Sequence, residues 1–141
     1  MRKRILSLTV VTFLLLFVFA VPVAAAENEA REEPVVVQRL TYIQFASTGL
    51  SITNNIAYVD VEMLGYSNVT KVEIEGALQK RVLGLVWSNV LTFSGTYKGN
   101  YGYGEIEVPV SSGTYRVIAT YTAYSGTAKE SVKGESPIKT N

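Results

Sequence analysis

Three pairs of carboxylates recur at i, i+2 spacing in this chain: Asp60/Glu62, Glu73/Glu75 and Glu105/Glu107. Paired carboxylates are the machinery of glycoside hydrolysis when they face each other across a cleft and burial raises the pKa of one of them. In an extended strand, however, side chains at i and i+2 share a face. Each pair then lies along one outward surface where both groups are solvated, so the pairs read as solubilising surface. Calcium coordination through the same oxygens would need an alternating acidic loop, and Asp60 is the sole aspartate of the chain.

The 141 residues contain no Cys and no His. Without cysteine there is no disulfide framework, thiolate nucleophile or zinc ribbon. Without histidine there is no Ser/His/Asp or Cys/His relay and no imidazole metal ligand. No catalytic residue, metal site or cofactor is therefore expected. Lys71, Lys80, Arg81, Lys98, Arg116, Lys129 and Lys133 are scattered among acids, as cross-strand pairs and edge charges would be. Asn68-Val69-Thr70 fits the glycosylation rule, which matters only in a host with that machinery.

Residues 95–104 have the most unusual composition, with three tyrosines, four glycines and a single charge. Tyrosines on a glycine-rich loop offer flat amphipathic contacts able to stack on a sugar or grip a protein. Tyr97, Tyr101 and Tyr103, with Asn100 as a polar contact, are the candidate ligand-binding residues. The competing reading is a hairpin whose tyrosines pack back on a sheet. The glycines do not form a phosphate loop, because no Lys-Ser/Thr follows and the next segment reads as a strand.

The elements that would position these residues are strands. From residue 35 to 135 apolar residues alternate with polar ones, punctuated by Gly, Ser and Asn, which predicts an antiparallel all-β domain. Strands are expected at residues 39–45, 50–53, 57–64, 71–79, 86–93, 105–110, 114–124 and 127–133. Ala57, Val59, Val61 and Met63 point inward, as do Val72, Ile74 and Leu78. The stretch 77–87 also fits a helical spacing, but Gly84 inside a helix would cost ~1 kcal/mol, and two strands joined by a turn at 81–84 are preferred. Ser-Gly-Thr occurs at 94–96, 112–114 and 125–127, unequally spaced, and reads as a recurrent turn signal. About 100 residues suit one β-sandwich. Trp87, the single tryptophan, is expected as the central core aromatic.

Flanking this body are segments of other kinds. Residues 1–26 open with Arg2, Lys3 and Arg4, continue with an apolar run from Ile5 to Val21 and end in Ala24-Ala25-Ala26, the pattern of a secretory signal peptide cut between Ala26 and Glu27. The rival reading is a retained anchor, because residues 5–26 are long enough to cross a bilayer. Pro22 and the small residues after it favour the signal. Removing residues 1–26 leaves 10 Lys+Arg against 12 Asp+Glu, net −2, too near neutral and too evenly mixed for a nucleic-acid or anionic-membrane footprint. Membrane contact is expected only through residues 1–26 during export. Residues 27–38 read as an acidic flexible linker, 39–135 as the sandwich and 136–141 as a polar C-terminal tail.

Gly113-Thr114-Tyr115-Arg116-Val117 matches the Gly-x-Tyr-x-apolar start of a late strand in immunoglobulin-like domains, whose tyrosine hydroxyl bonds back to the backbone. Val117 stands where an antibody domain has its second cysteine. The fold class expected is a single immunoglobulin-like antiparallel sandwich of seven or eight strands. Further, Leu78-Gln79-Lys80, Gly84-Leu85-Val86-Trp87, Val108-x-Val110-Ser111-Ser112-Gly113-x-Tyr115-Arg116-Val117 and Tyr124-x-Gly126 together resemble a family of small secreted immunoglobulin-like proteins of Gram-positive bacteria. The resemblance covers about residues 40–135 and implies fold and location, not activity; the tyrosine-rich segment departs from the family pattern.

These readings converge on a secreted, non-enzymatic binding or interaction module whose ligand is a cell-wall glycan or an extracellular protein. The alternative is a secreted antagonist or toxin-like effector acting on the envelope of other cells.

Overall fold

The computed structural model describes residues 39–141. The expected export signal and the linker lie outside the described residues. Eight strands follow in chain order: β1 (Ile43–Thr53), β2 (Ile56–Gly65), β3 (Lys71–Val82), β4 (Val86–Lys98), β5 (Tyr101–Pro109), β6 (Thr114–Ser125), β7 (Ala128–Glu135) and β8 (Lys139–Thr140). All pairings are antiparallel. They form a three-stranded sheet β1-β2-β5 and a larger sheet β4-β3-β6-β7, with β8 pairing the start of β6.

This is a β-sandwich with the strand order of an immunoglobulin-like domain. β1, β2 and β5 stand as its strands A, B and E, and β3, β6 and β7 as C, F and G, while β4 lies beside β3 at the edge of the second sheet. The core follows from alternation. Ala57, Val59, Val61 and Met63 of β2, Val72, Ile74 and Leu78 of β3, and Tyr115, Val117, Ala119, Tyr121 and Ala123 of β6 are all buried. Residues 39–141 carry their own core and pair every strand among themselves, as an independently folding domain does.

The two largest fully buried side chains are tyrosines, and each has a hydrogen-bonded hydroxyl. Tyr115 donates to the Ser111 carbonyl at 2.8 Å, closing the expected corner before β6. Tyr121 reaches from β6 to β1, where its hydroxyl meets the Ser47 carbonyl and lies 2.6 Å from Thr48 Oγ1. A third tie uses charge. The Glu130 carboxylate on β7 accepts the backbone N–H groups of Thr41, Tyr42 and Ile43 at 2.9, 2.7 and 3.1 Å, fixing the chain as it enters β1.

Several expectations change. The first two expected strands are one continuous β1, because Gly49 leaves room for the Asp60 side chain and no turn forms there. The Ser-Gly-Thr at 94–96 lies inside β4, with Gly95 beneath the Tyr97 ring, so it is not a turn. Trp87 is not a core residue. It sits partly exposed near the end of the β3–β4 hairpin, paired with Arg81, with the Arg81 and Arg116 guanidinium groups 4.7 and 4.3 Å from its ring. The polar tail is also structured. Ser136 exchanges hydrogen bonds with Val117, β8 pairs β6, and the Asn141 backbone exchanges hydrogen bonds with that of Gly113.

Two outcomes follow in thermal melts. Tyr115→Phe removes one hydrogen bond and costs about 1 kcal/mol, whereas Tyr115→Ala leaves a cavity and costs roughly 3–5 kcal/mol; equal melting temperatures for both would remove the corner from the stability account. For Glu130, burial opposes ionisation but three backbone N–H donors outweigh it and hold the carboxyl below its ordinary range. Its contribution is therefore complete at neutral pH and is lost as pH falls through the depressed folded value. Glu130→Gln is expected to cost about 1–2 kcal/mol at neutral pH, with the gap between variant and parent closing in acid.

Candidate functional site

The glycine-tyrosine segment turns out to be the end of β4, a two-residue reversal and the start of β5. Its parity decides which tyrosines face where. Tyr97 points between the sheets and packs against the core. Its ring lies over Gly95, Gly102 and Gly104, where an added Cβ would meet it at 2.7, 2.7 and 3.5 Å. Three of the four glycines are thus the floor on which Tyr97 lies. Asn100 is also occupied structurally. Its side-chain Nδ2 donates to the Gly65 carbonyl at 3.0 Å and its own carbonyl accepts the Gly65 N–H at 2.7 Å, pinning the reversal to the end of β2.

Tyr101 and Tyr103 face outward and are 48% and 44% exposed. They stand on the outer surface of the three-stranded sheet. Phe45, Leu64 and Tyr101 form one cross-strand row there, followed by Ser47, Glu62 and Tyr103, then Gly49, Asp60 and Glu105, then Ser51, Tyr58 and Glu107. The structure therefore brings together two of the three carboxylate pairs, with Asp60 directly opposite Glu105. Among the strand positions of this face none is Lys or Arg. Like charges placed opposite one another destabilise a sheet, so this surface holds an uncompensated demand for donors or cations. The sequence could place each pair on an outward face, but their convergence depends on the β2–β5 register.

The tyrosine hydroxyls belong to this electrostatic system. Tyr101 Oη donates to Glu62 Oε1 at 3.1 Å. Desolvation, then that hydrogen bond and the Glu62 charge, raise the Tyr101 phenol above its ordinary pKa. Desolvation and the charges of Glu105, Asp60 and Glu62 do the same for Tyr103. Both rings stay neutral donors across the physiological range.

On the other sheet's outer face acids and cations stand side by side. Lys71 Nζ lies 2.8 Å from Glu73 Oε1 and 3.8 Å from the Tyr124 ring centre, and Tyr124 donates to the same carboxylate. Lys71, then Tyr124, hold Glu73 below the usual carboxylate range. A depression of about 470 Å³ on this sheet is lined by Glu75, Ala77, Ile118, Thr120, Lys133 and Glu135. Among the described residues no three acidic, His or Cys side chains converge to hold a metal.

No family model, curated protein or solved structure matches this chain. What the fold and surface define is a β-sandwich with an acidic, aromatic outer face on its smaller sheet.

The coupling between Glu62 and Tyr101 is measurable by alkaline titration of the phenol. Glu62→Gln is expected to move the Tyr101 midpoint down toward the ordinary tyrosine value, since both the hydrogen bond to a carboxylate and the negative charge are lost. An unmoved midpoint would show the two side chains to be uncoupled.

Proposed function

We propose that this protein is a secreted, non-enzymatic binding module whose ligand surface is the outer face of the three-stranded sheet, and that its ligand is a cell-wall glycan. One observation carries the reading: Tyr101 and Tyr103 lie half-exposed beside Phe45 and Leu64, bordered by Asp60, Glu62, Glu105 and Glu107 without a cation among them. Flat rings stack on the apolar faces of sugar rings, and carboxylates accept from the hydroxyls at their rims. Open access suits a polymer, which crosses a surface without having to enter a pocket. Export by residues 1–26, cut before Glu27, places the module among such polymers. The resemblance to secreted immunoglobulin-like proteins of Gram-positive bacteria supports the same location.

The test is co-sedimentation of residues 27–141 with isolated wall sacculi and insoluble polysaccharides, alongside Tyr101→Ala/Tyr103→Ala. Tyr97 stays in place because its ring belongs to the core. Retention of the parent, weakened about tenfold or more in the variant, is expected from losing two stacking rings. No retention of the parent, or equal retention of both, overturns the glycan reading.

A further inference from the structure

The most exposed large apolar side chains lie far from the tyrosine face, at the tip of the β3–β4 hairpin. Leu83 is 91% exposed, Leu85 84%, Val86 64% and Val82 44%. With Gly84 they make five consecutive residues without a polar side chain. The turn is also strained. Leu83 takes φ 51° and Gly84 φ 69°. Such turns favour Asn-Gly, and a leucine in the left-handed region is disfavoured. Leucine here serves neither the turn nor the core.

Behind the tip stands a polar collar. Arg81 pairs with Trp87, whose ring has the Arg81 and Arg116 guanidinium groups against it. Lys80 is anchored to Ser111 Oγ at 2.7 Å, and Lys139 pairs with Tyr115 at the same end of the sandwich. Among the described residues Arg116 is paired with Glu135, whereas Lys80, Arg81 and Lys139 have no carboxylate partner.

We infer that the β3–β4 hairpin tip is a membrane anchor that inserts Leu83, Leu85 and Val86 into the interface of an anionic bilayer, with Trp87 and the cations Lys80, Arg81 and Lys139 at headgroup depth. Three features favour a bilayer over a protein groove. Leu83 and Leu85 at the turn are almost wholly uncovered and the Val82–Val86 pair below them is exposed too, so no part of the tip rests on the domain, and a fluid wets the whole of it where a groove would cover one side. The unpaired cations complement lipid phosphates, and tryptophan with arginine is the composition of a membrane interface. The depth also fits: one cross-strand pair, Val82–Val86, separates the Arg81–Trp87 pair from the turn, so Leu83 stands two residues beyond Arg81, roughly 7 Å, within the ~5–10 Å reached by interfacial elements. The turn itself enters with an internal hydrogen bond, from Leu85 N–H to the Val82 carbonyl at 3.1 Å. This anchor is separate from the glycan surface and from residues 1–26, to which the sequence confined membrane contact.

Trp87 is the single tryptophan and so reports directly. Residues 27–141, which lack the apolar segment at 5–26 and contain the whole self-contained sandwich, are titrated with vesicles of phosphatidylglycerol and phosphatidylcholine in equal parts and with vesicles of phosphatidylcholine alone. The expected result is a blue shift of Trp87 emission and co-flotation with the mixed vesicles, weaker with the neutral ones. Leu83→Asn/Leu85→Asn is expected to weaken partitioning at least about tenfold, since each leucine loses its burial in the interface. Its melting temperature should hold or rise, because Asn adopts the left-handed turn readily. Val86→Thr keeps the side-chain shape and gives an independent, several-fold loss. Parent protein that ignores the mixed vesicles, or variants that partition as tightly as the parent, overturn the anchor; the tip would then belong to a protein partner.

Discussion

The Tyr121 hydroxyl joins the two sheets of this protein across a core that has no disulfide to do so. Its ring is fully buried among the inward residues of both sheets. A phenol in that position is tolerable only if its polar end finds a partner. It finds the Ser47 carbonyl and Thr48 hydroxyl on β1, in the opposite sheet. The relative placement of β6 and β1 is thereby fixed by a directional bond, in a core otherwise made of non-directional contacts. Tyr115 does the same locally, tying β6 to the corner that precedes it. The larger sheet thus meets both the crossover from β5 and the first strand through tyrosine.

The reversal between β4 and β5 shows how packing generates a surface. Tyr97 fills the space between the sheets only because Gly95, Gly102 and Gly104 present no side chains there. On β5 Gly102 and Gly104 take inward positions, so Tyr101, Tyr103, Glu105 and Glu107, which alternate with the inward set, all face out. The β2 register then sets Asp60 and Glu62 beside them. Stacking rings and acceptor groups share one face as a geometric consequence of accommodating one core ring. The larger sheet carries cations on its own outer face, where Glu73 and Glu135 answer Lys71 and Arg116. The two outer faces therefore differ in kind, one of mixed charge and one acidic.

Much of this was legible in the residues because alternation is a local property. The run from Ala57 to Met63 and that from Val72 to Ile74 place their inward residues without knowledge of a partner strand, and Gly113-x-Tyr115 announces its corner through a contact only four residues back. Trp87 was misread for the complementary reason. Tryptophan is usually buried, but a hairpin that extends to the domain's end has nothing above its last residues to bury them. The pairing of the polar tail at 136–141 was not legible, because it is made by backbone groups, which no side-chain pattern records.

By itself the sequence determined the strand class, the inward sets, the corner and the exclusion of histidine and cysteine chemistry, since each depends on residue type or on spacing within one segment. The tertiary structure alone decided that Tyr97 turns inward while Tyr101 and Tyr103 turn out, that Asp60 meets Glu105, and that a leucine turn projects beyond its cationic collar. Those facts depend on register between strands distant in the chain and on where the sandwich ends, and no local pattern of residues encodes either.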